Sequence, residues 1–325
     1  MHIIPTYALC ITSHIFVLSL LSVRRWQLTN APDRPLLVPS FSIRLCGSLA
    51  AVGTVWLPCL GPDDPFQQCG VRVASLFYAL KLLDLALTKA DEPPKLRNSN
   101  GGDAVPEHVK YVWLLLTEMR YRAFDVEAAH KGRPSARVAH RELASKMLPP
   151  VILTGVVYAF PIAETKCLLL LCLIQNGLEG VHTLLHPFCP YVLFYRPFVA
   201  ATLGDFWTIH WHSSAVFLQS LAYKPVRRLL GRPGGIVAAF ALSGVWHAWA
   251  AMPLAEEPHA VKLGLQVWIF FMMLGVGTLL ERLVWRDKQR GWLQRVLVWT
   301  WSPCWAGWCF RTLEHHSMIS FLRTA

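Results

Sequence analysis

The chain has 325 residues, 54% of them hydrophobic and only 16% charged, with a mean hydropathy of +0.37. Soluble domains average about 25% charged residues, so this composition argues against an ordinary soluble fold and for a polytopic membrane protein. A net charge of +11 would suit a nucleic-acid binder, but Lys and Arg fall in loops between apolar runs, where membrane orientation explains them better.

In chain order, the residues predict an all-α protein with about eight transmembrane helices. The first run, Ile3–Val23, lacks a basic leader and a small-residue cleavage site, so it is expected to be a retained span. Phe41–Leu60 and Val71–Thr88 follow, the latter interrupted by Lys81 and Asp84, which are three apart and could pair on one helical face. The stretch 89–146 is the only long polar segment and is expected to be a cytoplasmic loop. Its Pro/Gly-rich start gives way to Val109–Ala129, whose mixed pattern suits a helix lying along the membrane surface. Met147–Ala163, Thr165–Leu185, Gly234–Leu254, Leu263–Leu280 and Trp292–Leu313 complete the runs. Assigning the basic loops to the cytoplasm satisfies all eight alternating spans and puts both termini on the lumenal side. No second domain or repeat is visible, so residues 1–325 read as one membrane-embedded domain. The nine cysteines form no C-x-x-C pair, and most are expected to pack as small apolar groups.

Two stretches hold ionisable side chains at membrane depth. Gly234–Pro253 is a span with His247 in its middle, about 13 residues from the cytoplasmic end, or roughly 20 Å at 1.5 Å per residue. A buried imidazole held neutral is what a general base requires. The same ring could equally be a buried histidine bonded to a nearby carbonyl. Ser243 and Gly244 lie one turn earlier, where small side chains would admit a substrate or a close helix. Trp246 and Trp249 flank the histidine and could face it or the lipid.

The second stretch, Tyr191–Tyr223, is apolar but broken by Pro197, Gly204, Asp205, His210 and His212. Irregular backbone at membrane depth survives only against protein or water, so a cavity open to the cytoplasm is expected here. Asp205, with Trp207 and Trp211, could orient and cover a polar donor. The competing reading is an interfacial aromatic belt with Asp205 as a helix cap. His210 and His212 diverge on a helix, and His182 and His186 lack the tight histidine boxes of di-iron sites, so no metal is expected. No G-x-S-x-G elbow, phosphate loop or H-E-x-x-H motif is present.

Taken together, Asp205-Phe-Trp-Thr-Ile-His-Trp-His212 and Ser243-Gly-Val-Trp-His247 resemble the two boxes of the wax synthase branch of the membrane-bound O-acyltransferase superfamily. The chain looks most like the fungal members that acetylate terpenoid and meroterpenoid alcohols. The resemblance covers Pro187–Trp249, the implied catalytic core segment (187–249). It implies that His247 is the catalytic histidine, that His212 holds the His/Asn position of the first box, and that Asp205 and Trp207 match that box's core. Where the family usually carries an arginine, this chain has Thr208-Ile209-His210. Lys224, Arg227 and Arg228 could supply charge for a coenzyme A phosphate instead.

The resemblance therefore implies an endoplasmic-reticulum, multi-pass enzyme with a buried tunnel that moves an acetyl group from acetyl-CoA to a hydrophobic alcohol. Acetyl-CoA would be a co-substrate entering from the basic cytoplasmic face, the alcohol would arrive from the bilayer, and nucleic acid would play no part. Long-chain wax ester synthesis is the alternative within the class. A proton-coupled transporter is the rival outside it, although the inverted repeats common in transporters are missing.

Overall fold

The computed structural model describes residues 3–96, 106–121, 123–125, 151–152, 154–160, 162–185, 193–194, 200–207, 215–285 and 291–316. Among these residues every regular element is helical, and the single isolated bridge joins Leu96 to Phe124. The longer helices are α1 (Ile3–Asn30), α2 (Ser40–Trp56), α3 (Pro65–Leu83), α4 (Glu107–Thr117), α5 (Ala163–Leu185), α6 (Lys224–Ala251), α7 (His259–Trp285) and α8 (Trp292–His316). Helix is the expected solution where water is absent, because each segment then satisfies its own backbone.

Among the described residues, four stretches are long and apolar enough to cross a membrane: Tyr7–Asn30, Ser40–Leu60, Val216–Leu254 and His259–Trp285. Helices α3, α5 and α8 form over three further predicted runs. The run Met147–Ala163 falls partly outside the described residues, where 154–159 are helical. Helix thus forms over most of the described part of each predicted run, and four stretches among the described residues have the length and hydropathy of spans.

The chain divides into two compact units, the first comprising residues 1–62 and 71–134. Here α1 packs on α2 and α4. Gly47 of α2 brings the backbone so close to the π-helical turn Asp84–Thr88 that an added Cβ would sit 2.5 Å from that of Ala86. The end of α1 is tied to the connection after it. Arg24 donates to the Val38 carbonyl at 2.8 Å, and Gln27 donates to that of Pro35 at 2.6 Å while accepting from the Leu37 amide at 2.7 Å.

Lys81 and Asp84, expected on one helical face, each have further partners. Lys81 is buried, and its ammonium donates to the carbonyls of Glu118 at 2.5 Å and Leu116 at 3.3 Å, around the end of α4. Asp84 accepts from the Thr88 hydroxyl at 2.7 Å. A lysine has reach enough to leave its own helix, and unsatisfied carbonyls at a helix C-terminus are natural acceptors for it. The surface helix expected over Val109–Ala129 ends earlier, at Thr117, with Glu118 extended at its C-cap. Tyr111, Leu114 and Leu115 are buried while Val109 and Trp113 are exposed, so the helix lies on α1 by one apolar face. The Tyr121 hydroxyl reaches the Lys81 carbonyl at 3.3 Å, and burial pushes the phenols of Tyr111 and Tyr121 up from their ordinary pKa.

The second unit comprises residues 63–70 and 135–325. Its main contact is between α6 and α7, and α8 packs on both α7 and α5. Two ion pairs join α5 to α8, Arg311 with Glu164 at 2.5 Å and Lys166 with Glu314. The Trp301 indole donates to the Met273 carbonyl at 3.1 Å, tying α8 to α7.

Gly47→Ala is expected to cost about 1–3 kcal/mol, because the new methyl meets Ala86. Gly53→Ala, on the same helix with nothing within 4 Å, should be neutral or gain a few tenths of a kcal/mol, roughly, from propensity. Thermal unfolding in detergent checks both, and equal midpoints for the two variants would contradict the close approach.

Candidate active site

The site is built where α6 and α7 come closest. A Cβ on Gly244 would lie 3.0 Å from the Trp268 side chain, 3.1 Å from Phe271 Cβ and 3.2 Å from the Trp268 carbonyl. Gly275 similarly accommodates the Phe240 ring, at 3.2 Å from its own virtual Cβ. Small residues at such positions let two helices approach without a gap, the usual basis of helix association in lipid. Close packing is thus one role that Gly244 has here. Ser243 is buried on the same face.

One turn on, His247 is partly buried and its ring faces α7. The imidazole lies 4.3 Å from the Phe271 ring at an interplanar angle of 31°, and 4.9 Å from that of Trp246. Trp246 is itself buried and Val245 carries the exposed side of the turn, so neither Trp246 nor the histidine points out to lipid. His247 Nδ1 lies 2.8 Å from the Ser243 carbonyl oxygen. A carbonyl oxygen only accepts, so Nδ1 carries the hydrogen. In the neutral ring Nε2 is then the basic nitrogen. Both readings of His247 meet here, since the carbonyl bond expected of a structural histidine also selects the tautomer a base requires.

The first box also packs on α7. Thr202 caps a short helical turn, Leu203–Asp205, by accepting from the Asp205 amide at 2.9 Å. Thus Thr202 is the cap, and Asp205 is a residue of the capped turn with its side chain partly buried. Phe206 and Trp207 are buried in a cluster with Ala200, Leu203, Phe271, Leu274 and Val298. Trp207 meets Phe271 at 6.0 Å and Phe270 at 6.2 Å between ring centroids. Its indole is a wall of the protein interior, not an exposed stacking platform. Phe271 consequently touches both boxes, Trp207 of the first and His247 of the second. Trp211 and His212 lie outside the described residues.

Lys224, Arg227 and Arg228 lie on the first turns of α6, and Arg227 stands over the Tyr223 ring at 5.8 Å. Gly231 then breaks the helix with φ +70°, before Pro233, a conformation that suits glycine. The three basic residues are therefore separated from His247 by this break. A further basic group, Arg282 of α7, interacts electrostatically with Arg232, Tyr223, Glu281 and Asp205.

Sequence reasoning passed over Phe271, Glu281 and Arg282. The run Leu263–Leu280 stops one residue short of Glu281, whereas α7 continues to Trp285. An ionisable residue at the end of an apolar run was the available signal, the same criterion that selects His247. Phe271 had no such mark, being one more aromatic in an apolar helix. No cluster of His, Cys, Asp or Glu suited to a metal occurs among the described residues.

Residues 189–273 match the model of the membrane bound O-acyl transferase family, about a quarter of the chain. The match encloses both boxes and Phe271, and it supports a place in that superfamily. No curated protein and no solved structure matches the chain. Together with the long apolar helices, the match supports a membrane O-acyltransferase in general terms.

Phe271→Leu should leave stability within about 1.5 kcal/mol, because volume is nearly kept, whereas Phe271→Ala is expected to cost about 3–5 kcal/mol. Thermal midpoints of the two variants check this. Indistinguishable midpoints would mean that the ring is not the shared wall of the two boxes.

Proposed function

We propose that the protein is an O-acyltransferase that moves an acetyl group from acetyl-CoA to the hydroxyl of a hydrophobic, terpenoid-type alcohol, acting in the endoplasmic-reticulum membrane. The observation that carries the reading is the His247 tautomer within a family-matched segment: Nδ1–H donates to the Ser243 carbonyl at 2.8 Å, which makes Nε2 the proton acceptor.

In this scheme Nε2 of His247 takes the alcohol proton as the oxygen attacks the thioester carbonyl carbon. The C–O bond forms, the tetrahedral oxyanion collapses, and the C–S bond breaks. The coenzyme A thiolate leaves with the proton returned from the imidazolium, giving ester and free thiol. His212 is assigned to the thioester carbonyl or sulfur as a donor. Asp205 is assigned to orient the donor, with Trp207 and Trp211 as the walls beside it. Lys224, Arg227 and Arg228 are assigned to the phosphates at the cytoplasmic approach, while Ser243, Gly244 and Trp246 shape the acceptor side. No metal enters the scheme. A site walled by Trp246 and Phe271 limits water, and with it hydrolysis of the thioester.

Microsomes carrying the protein, given labelled acetyl-CoA and a panel of lipophilic alcohols, test the reading. Ester formation should fall by about 10²- to 10⁴-fold in His247→Ala at unchanged protein level. Asp205→Asn should raise the donor KM more than the acceptor KM. Preference for long-chain acyl donors and fatty alcohols would move the assignment to wax ester synthesis. Proton-driven uptake without any acyl donor would replace the enzyme by a transporter.

A further inference from the structure

We infer that Glu281 is a positioning residue that holds the Asp205–Trp207 box in register against α7. Its catalytic consequence rests on the acyltransferase reading, whereas its geometry does not. Glu281 lies beyond the family-matched residues 189–273 and is buried near the end of an apolar helix. Its two carboxylate oxygens accept from the Leu203 amide at 2.9 and 3.1 Å, and the Gly204 amide donates to the same group.

Leu203 and Gly204 open the helical turn that Thr202 caps, and the first amides of any helix have no partner within it. Leu203 and Glu281 are buried, so leaving such an amide unsatisfied would be costly. A carboxylate is well suited to the gap, since it offers two oxygens and bonds to a charged acceptor are the stronger kind. Conversely, a buried carboxylate is tolerable only when donors surround it, which makes the contact mutually required.

The clamp acts on the box through the residues next along the chain. Asp205 is the third residue of the turn, and Phe206 and Trp207 continue into the cluster around Phe271. A slip of the turn along α7 would carry Asp205 and Trp207 with it, while His247, seated on Phe271 from α6, would stay. Glu281 therefore sets where the donor side stands relative to the base. The device recurs at buried Glu179 of α5, which accepts from the amides of Leu193 at 3.2 Å and Phe194 at 3.0 Å. The two carboxylates thus fasten backbone at 193–194 and at 203–204, on either side of residue 200 and ahead of Asp205.

Hydrogen exchange of the full-length protein in detergent reads the geometry directly. In Glu281→Ala, exchange across residues 200–207 should rise by about tenfold or more, with residues 263–275 unchanged. Glu281→Gln keeps one acceptor oxygen and should fall between the alanine variant and the native protein. Kinetics read the consequence: donor kcat/KM should drop by about 10- to 100-fold in Glu281→Gln while the acceptor KM moves less than about twofold. Unaltered exchange at 200–207 in both variants overturns the clamp. Faster exchange with native donor kinetics, or donor and acceptor use falling together, reduces Glu281 to a structural role. If the native protein makes no ester, the acyltransferase reading fails, and the exchange result still decides the clamp.

Discussion

The close packing of α6 on α7 is the constraint on which the site depends. Gly244 and Gly275 remove the side chains that would hold the helices apart, and Trp268, Phe271 and Phe240 fill the space. Phe271 then becomes a common wall, in contact with both the His247 ring and Trp207. Two sequence boxes whose last residues are 35 apart meet through a residue that belongs to neither. In lipid, where apolar surface alone drives little association, such packing and a few interhelical polar bonds must suffice.

Polar groups in the second unit are handled by a consistent logic. Where backbone amides lack a partner within a helix, a buried carboxylate from a neighbouring helix takes them up, Glu179 at 193–194 and Glu281 at 203–204. Where a histidine must be buried, a carbonyl one turn earlier fixes its tautomer. Each of these groups has a partner that also gives it an orientation, and orientation is what acyl transfer asks of an active site.

The first unit uses the same chemistry for a different end. Lys81 satisfies carbonyls at the C-terminus of α4, and Arg24 and Gln27 secure the connection after α1. Arg25 pairs with Glu107 at 2.5 Å and lies over the Tyr111 ring at 4.6 Å, joining α1 to α4. These contacts fix the stretch after residue 106 as a packed element with one buried face, and the carbonyls that Lys81 takes up sit where its helix stops, at Thr117.

From the letters alone, hydropathy located the helices, because an apolar run long enough to cross lipid has no other way to satisfy its backbone. The two boxes were likewise legible, since Asp205 and His247 stand out against apolar neighbours. Tertiary structure decided what those residues touch. It took the Lys81 ammonium to carbonyls at the end of α4, committed the Trp207 ring to the interior, and brought Arg282 into electrostatic interaction with Asp205. It also chose Phe271 from among many aromatics and brought Glu281 to amides 78 positions away in sequence. Periodicity and composition are properties of neighbours along the chain. A shared wall and a cross-chain clamp arise only when helices have been packed, so no local pattern could have announced them.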